Sequence, residues 1–108
     1  MHGIAAVPSI TDFTVTDNPV IGSPFSIRCT AGGIPQPNIS WRKDGQVLEP
    51  AAVAISELQI VVTNNGRTST VEVSEGSPEL NGVYECIAVN VAGSAMRSTS
   101  IKLQGWLS

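Results

Sequence analysis

Residues 82–90 read Gly82-Val83-Tyr84-Glu85-Cys86-Ile87-Ala88-Val89-Asn90, and their parity decides the fold. Successive side chains of an extended strand point to opposite faces, so Tyr84, Cys86 and Ala88 share one side and Val83, Glu85, Ile87 and Val89 the other. The same period of two runs through Phe25-Ser26-Ile27-Arg28-Cys29-Thr30-Ala31, with Phe25, Ile27, Cys29 and Ala31 as the buried set. It returns in Asn38-Ile39-Ser40-Trp41-Arg42, where Ile39 and Trp41 point inward and Ser40 and Arg42 outward. Val71 and Val73, and later Ile101 and Leu103, add inward pairs. Turn signals separate these runs at Asp44-Gly45, at Asn64-Asn65-Gly66-Arg67, at the corner 77–82 and at 90–93. The segment Gly32-Gly33-Ile34-Pro35-Gln36-Pro37 reads as a loop that cannot hold a ladder. Residues 53–62 are apolar but alternate poorly, so their register stays open. Short strands between turns, with no sustained helical period, predict an all-β sandwich of two antiparallel sheets.

The chain has 108 residues, 42% of them hydrophobic and 14% charged. That length suits one domain and is too short for two. Charged content well below the usual share of about 25% leaves a neutral surface. Contacts with neighbouring domains would explain it, and so would a surface solvated by Ser, Thr and Asn. The net charge is −3, and the six basic residues Arg28, Arg42, Lys43, Arg67, Arg97 and Lys102 are scattered. No basic stripe gathers phosphates, which argues against nucleic acid. No apolar run approaches the ~18 residues of a membrane span. Residues 1–10 lack the basic region and apolar stretch of a signal peptide. Residues 1–7 are expected to be an N-terminal extension or expression remnant, 8–104 the domain, and 105–108 a tail or linker.

The set Cys29, Trp41, Tyr84, Cys86 resembles the pinned core of the immunoglobulin superfamily, in particular its I-set. The resemblance covers nearly the whole chain through four pieces in order. These are Val20-x-Gly22; Ile27-x-Cys29; Gly33-x-Pro35-x-Pro37-x-Ile39-x-Trp41-x-Lys43-Asp44-Gly45; and Gly82-x-Tyr84-x-Cys86-x-Ala88-x-Asn90-x-x-Gly93. It implies Greek-key connections, a bridge from Cys29 to Cys86 with the Trp41 indole packed on it, and a Tyr84 hydroxyl that ties down the corner. The stretch between Trp41 and Val71 is shorter than a variable-type domain needs, which favours the intermediate type. Three positions depart from the pattern. Leu80 stands where an Asp usually makes an ion pair, and an apolar contact is expected in its place. Gly76 stands where an apolar residue often closes a strand. Arg97 has inward parity near one end of the last strand and is expected to snorkel to solvent.

Cys29 and Cys86 lie 57 positions apart and match no zinc or redox spacing. Oxidised, they close a long loop whose constraint contributes roughly 4 kcal/mol and imply an oxidising compartment. Reduced, they would be buried thiols of the kind found in related sandwiches inside cells. The only histidine, His2, lies outside the expected domain, so a Ser-His-Asp arrangement has no base. Glu72, Glu75, Glu79 and Glu85 read as solvated surface rather than a carboxylate pair. No catalytic, metal or cofactor site is expected.

Three features suggest recognition of another protein. Asn38-Ile39-Ser40 is the only N-x-S/T sequon, so Asn38 is a candidate glycosylation site. The outward set Val83, Glu85, Ile87, Val89 and Met96, with Ser40 and Arg42, makes a mixed patch with an apolar centre. Arg42, Ile87, Val89 and Met96 are the candidate contacts, and the proline-bearing loop 33–37 comes next. Trp106-Leu107 fits no inward slot and either meets a next domain or folds back. Asn65-Gly66-Arg67 resembles a short integrin-type tripeptide, but its turn chemistry explains it. The resemblance therefore implies a non-catalytic recognition module of a cell-surface adhesion molecule or receptor. Its partner would be a like domain or a neighbouring domain of the same chain. The alternative is a spacer in a cytoplasmic filament protein of muscle or cytoskeleton, with free thiols and a bare Asn38.

Overall fold

The structure, a computed structural model, describes residues 4–48 and 57–105. Eight strands follow one another: β1 (Ala6–Val15), β2 (Phe25–Ile34), β3 (Asn38–Lys43), β4 (Gln46–Val47), β5 (Leu58–Thr63), β6 (Thr68–Val73), β7 (Gly82–Asn90) and β8 (Gly93–Ile101). A single 3-10 turn, Pro78–Leu80, precedes β7. The strands form two antiparallel four-stranded sheets, ordered β1-β2-β6-β5 and β4-β3-β7-β8.

The alternation read from β2, β3, β6 and β7 becomes the core between the sheets. Phe25, Ile27, Cys29 and Ala31 are buried, as are Trp41, Val71, Val73, Tyr84, Cys86, Ala88, Ile101 and Leu103. Cys29 of β2 and Cys86 of β7 form a disulfide that crosses from one sheet to the other, with Cα atoms 6.5 Å apart. Trp41 is buried beside it, and its indole N–H donates to Ser69 Oγ on β6 at 2.8 Å. A buried indole needs such an acceptor. The Tyr84 hydroxyl donates to the Leu80 carbonyl at 2.7 Å and fixes the corner between β6 and β7. Burial pushes the Tyr84 phenol well above its ordinary value, and the Asp44 carboxylate adds to the shift.

The three departures each have a packing reason. Leu80 is fully buried in the apolar cluster, so apolar contact does stand at that position. Gly76 is a point of close backbone approach. Its N–H donates to Ser23 O, its carbonyl accepts from Gly22 N–H, and a Cβ there would sit 3.1 Å from the Leu103 side chain. Arg97 lies at the middle of β8, opposite Cys86, rather than near an end. Its guanidinium carbon stands 5.5 Å from the Phe13 ring centroid on β1, so the cation caps an aromatic face while reaching solvent.

The loop expected over 32–37 is shorter than its composition suggests. β2 continues through Ile34, because Gly32 and Ile34 pair with Ser9 and Ala6 of β1. Gly33 lets the two backbones close: a Cβ there would meet Pro8 Cα at 3.2 Å and Ala6 O at 3.3 Å. What remains is Pro35-Gln36-Pro37, entered through a cis Ile34–Pro35 bond. β1 begins at Ala6, within the stretch expected as an extension. Beyond β8, Gln104 makes a parallel bridge with Val20, accepting from Ile21 N–H at 2.9 Å and donating to Pro19 O at 2.8 Å. That bridge ties the β1–β2 connection to the segment that follows β8.

Candidate interaction surface

The outer face of the β4-β3-β7-β8 sheet is built from the positions that the inward parity leaves over. Residues directly opposite on neighbouring strands share a face, so the register assigns rows. Ile87 lies between Ser40 on β3 and Met96 on β8. Val89 lies between Asn38 and Ser94. Glu85 lies between Arg42 and Ser98, and Arg42 in turn faces Val47 on β4. Val83 faces Ser100. Val47 is 63% exposed, Met96 56%, Val89 47% and Val83 45%, while Ile87 is half-buried at the centre.

Arg42, Ile87, Val89 and Met96 are therefore brought onto one face. Asn38 is exposed on that same face, beside Val89. The polar boundary lies at the β3–β4 turn. There the Asp44 carboxylate accepts from Val83 N–H at 2.9 Å and pairs with the Lys43 ammonium at 3.1 Å. The Val83 backbone bond first, and Lys43 second, hold Asp44 below the usual carboxylate value. Asp44 and Gly45 both have positive φ, 52° and 81°, the backbone this two-residue hairpin turn requires.

Other candidates fall elsewhere. Pro37 is buried, whereas Ile34, Pro35 and Gln36 are exposed at one end of the sandwich. Asn65-Gly66-Arg67 forms the β5–β6 turn, with Gly66 N–H donating to Thr63 O and Arg67 N–H to Asn64 O. Glu72 and Glu85 stand in different sheets, and Glu79 lies in the 3-10 turn, so the glutamates converge on no common point. Among the described residues no group of three or more His, Cys, Asp or Glu gathers as metal ligands. His2, residues 53–56 of the poorly alternating stretch and Trp106-Leu107 lie outside the described residues.

Sequence reasoning missed two contributors. Val47 sits on a two-residue strand, too short for any period to show. Ser69 was readable, since it shares the inward parity of Val71 and Val73, and a polar residue there implies a buried partner. Asn90 also acts as a clip. Its side-chain amide donates to Ala6 O at 2.8 Å and Pro35 O at 2.9 Å, while its Oδ1 accepts from Ala92 and Gly93 N–H.

The model of the immunoglobulin domain matches residues 8–90. The chain is 32% identical over 79 residues to titin from Drosophila melanogaster, which covers 73% of this chain and a share of titin that rounds to 0%. It is 31% identical over 98 residues to vascular endothelial growth factor receptor 2 from Mus musculus, covering 91% of this chain and 7% of the receptor. Among solved structures, a chain of the complex between titin M10 and the obscurin-like 1 Ig domain aligns with a TM-score of 0.74 at 26% identity. That alignment covers 94% of this chain and 96% of the other. This chain thus spans no more than 7% of either curated relative. The two pinned sheets, the tyrosine-tied corner and the family match lead to one conclusion: the chain belongs to the immunoglobulin domain family.

Proposed function

We propose that this domain is a non-catalytic protein-recognition module of a multidomain cell-surface adhesion molecule or receptor, of the I-set type. The observation that carries the reading is the apolar outer face of the β4-β3-β7-β8 sheet. The core is closed without that face, so folding does not require Val47, Val89 or Met96 to be apolar. A contiguous exposed apolar patch costs solubility unless something covers it. Methionine and arginine are enriched where proteins meet; Met96 lies directly beside Ile87, and Arg42 lies in the next row, opposite Glu85. The partner is another protein, either a like domain or a neighbour in the same chain. A solved relative, the titin M10 complex with the obscurin-like 1 Ig domain, pairs with such a domain. The inter-sheet disulfide supports an oxidising compartment, and similarity to a growth factor receptor supports the cell surface.

The likeness to titin favours the second reading, a spacer in an intracellular filament. Thiol labelling under denaturing conditions, on the parent protein from its native source, separates the two. Unlabelled Cys29 and Cys86 are expected, and two labelled thiols would make the spacer the leading reading. The face itself is tested with Ile87→Asp in the parent chain. The variant is expected to fold normally and to lose the proteins recovered by proximity crosslinking, and an unchanged recovery would remove the face assignment.

A further inference from the structure

We infer that Asn38 carries an N-linked glycan whose core lies along Val89, closing that end of the outer face and confining a partner to Ile87, Met96 and Arg42. The inference rests on the extracellular reading above.

Four observations meet at this point. Asn38-Ile39-Ser40 is the chain's sequon, and Asn38 and Ser40 are both exposed while Ile39 turns inward. Among the described residues, Asn38 Nδ2 and Oδ1 make no hydrogen bond, which leaves the amide accessible to modification. Asn38 pairs directly with Val89, and Ser40 with Ile87. Cross-strand Cβ atoms lie about 5 Å apart, so a sugar on Asn38 Nδ2 starts beside the Val89 side chain. The register thus places the sequon on the apolar face and at one end of it. Arg42 lies two outward positions further along β3, beside Val47. An attached sugar ring carries an apolar C–H face and a hydroxylated rim, and it solubilises the surface it covers.

The covalent step is a glycosyl transfer from a lipid-linked oligosaccharyl pyrophosphate. The Asn38 Nδ2–C1 bond forms as the anomeric C1–O bond to phosphate breaks. The lipid pyrophosphate leaves with the bonding electrons, and the amide proton passes to a base of the transferase. In the strand, the Ser40 hydroxyl stands on the same side as the Asn38 amide.

The test secretes the whole chain from mammalian cells behind a leader peptide, with Asn38→Gln and Ser40→Ala as separate controls. Wild type is expected to carry the mass of an oligosaccharide on the peptide containing Asn38, and both variants to lack it. With a 13C-labelled glycoprotein, nuclear Overhauser contacts are expected from the N-acetyl methyl of the first sugar to the Val89 methyls, and none to Val47. A secreted wild-type chain with bare Asn38 overturns the site. An occupied Asn38 without contacts to Val89 overturns the confinement. The compartment reading fails separately, by free thiols in native-source protein, so the two failures are told apart.

Discussion

The two sheets of this sandwich turn similar faces to the core and very different faces to solvent. The outer face of the β1-β2-β6-β5 sheet is laced with polar pairs. Arg28 bonds Asp12 at 2.8 Å and reaches Thr14, Thr30 meets Thr68 at 3.0 Å, and Gln59 donates to Glu72 at 3.2 Å. The outer face of the β4-β3-β7-β8 sheet offers Val47, Val83, Ile87, Val89 and Met96 around a single row with charges, where Arg42 stands opposite Glu85. Folding constrains the inner faces alike, because both must fill one core at close packing. It constrains the outer faces far less, so their difference is not dictated by the core.

Five outcomes would break or sharpen that contrast between constrained interior and free exterior. The largest effect belongs to the interior. Replacing Cys29 and Cys86 together by Ala is expected to cost roughly 4 kcal/mol, read as a lower urea midpoint. A loss near zero would mean that the sheets are held without the bridge. Ser69→Ala is expected to cost about 1–3 kcal/mol, because the buried Trp41 N–H loses its acceptor. A neutral result would show that water reaches the indole.

The Tyr84 phenol gives the interior a signature on the alkaline side. Its folded value is raised, so its contribution is complete below the ordinary value of 10.0 and is lost as pH climbs above it, where only the unfolded chain ionises. Stability should fall through that range in wild type and fall less in Tyr84→Phe.

On the polar outer face the effect is smaller and lies on the acid side. The Thr14 hydrogen bond, and then Arg28, hold the Asp12 carboxyl below its ordinary value of 3.8. A depressed value contributes stability above 3.8 that is lost as pH falls through the folded value. Arg28→Ala should therefore reduce the stability lost on acidification. The smallest effect is expected on the exposed part of the apolar outer face, where Met96→Asp should change the unfolding free energy by only about 0.5 kcal/mol, as ordinary surface substitutions do. A loss several times larger would mean that the face supports the fold rather than a partner.

The strands legible in the sequence were those whose alternation was clean. β2, β3, β6 and β7 face apolar neighbours on one side only, and their parity predicts Trp41, Tyr84, Cys29 and Cys86 as the core. β1 escaped notice because register shifts between Ala6 and Ser9, and between Ile10 and Asp12, interrupt its period. The turn at Asp44-Gly45 was legible because positive φ favours those residue types, whereas the extension of β2 through Gly32 and Gly33 depended on a partner strand far away in sequence. For the candidate surface, the outward residues of β3, β7 and β8 were readable one strand at a time. That Val47 joins them, and that Asn38 stands beside Val89, required the register between strands.

The sequence by itself determined the period of each strand, its inward side chains, the turns and the family, because these depend on local backbone geometry and short-range side-chain chemistry. Tertiary structure alone decided which strands lie side by side. Cross-sheet and cross-strand partners such as Ser69 for Trp41, Phe13 for Arg97 and Val89 for Asn38 are set by register between distant segments. No local pattern encodes that register, because it is fixed only when the whole core closes.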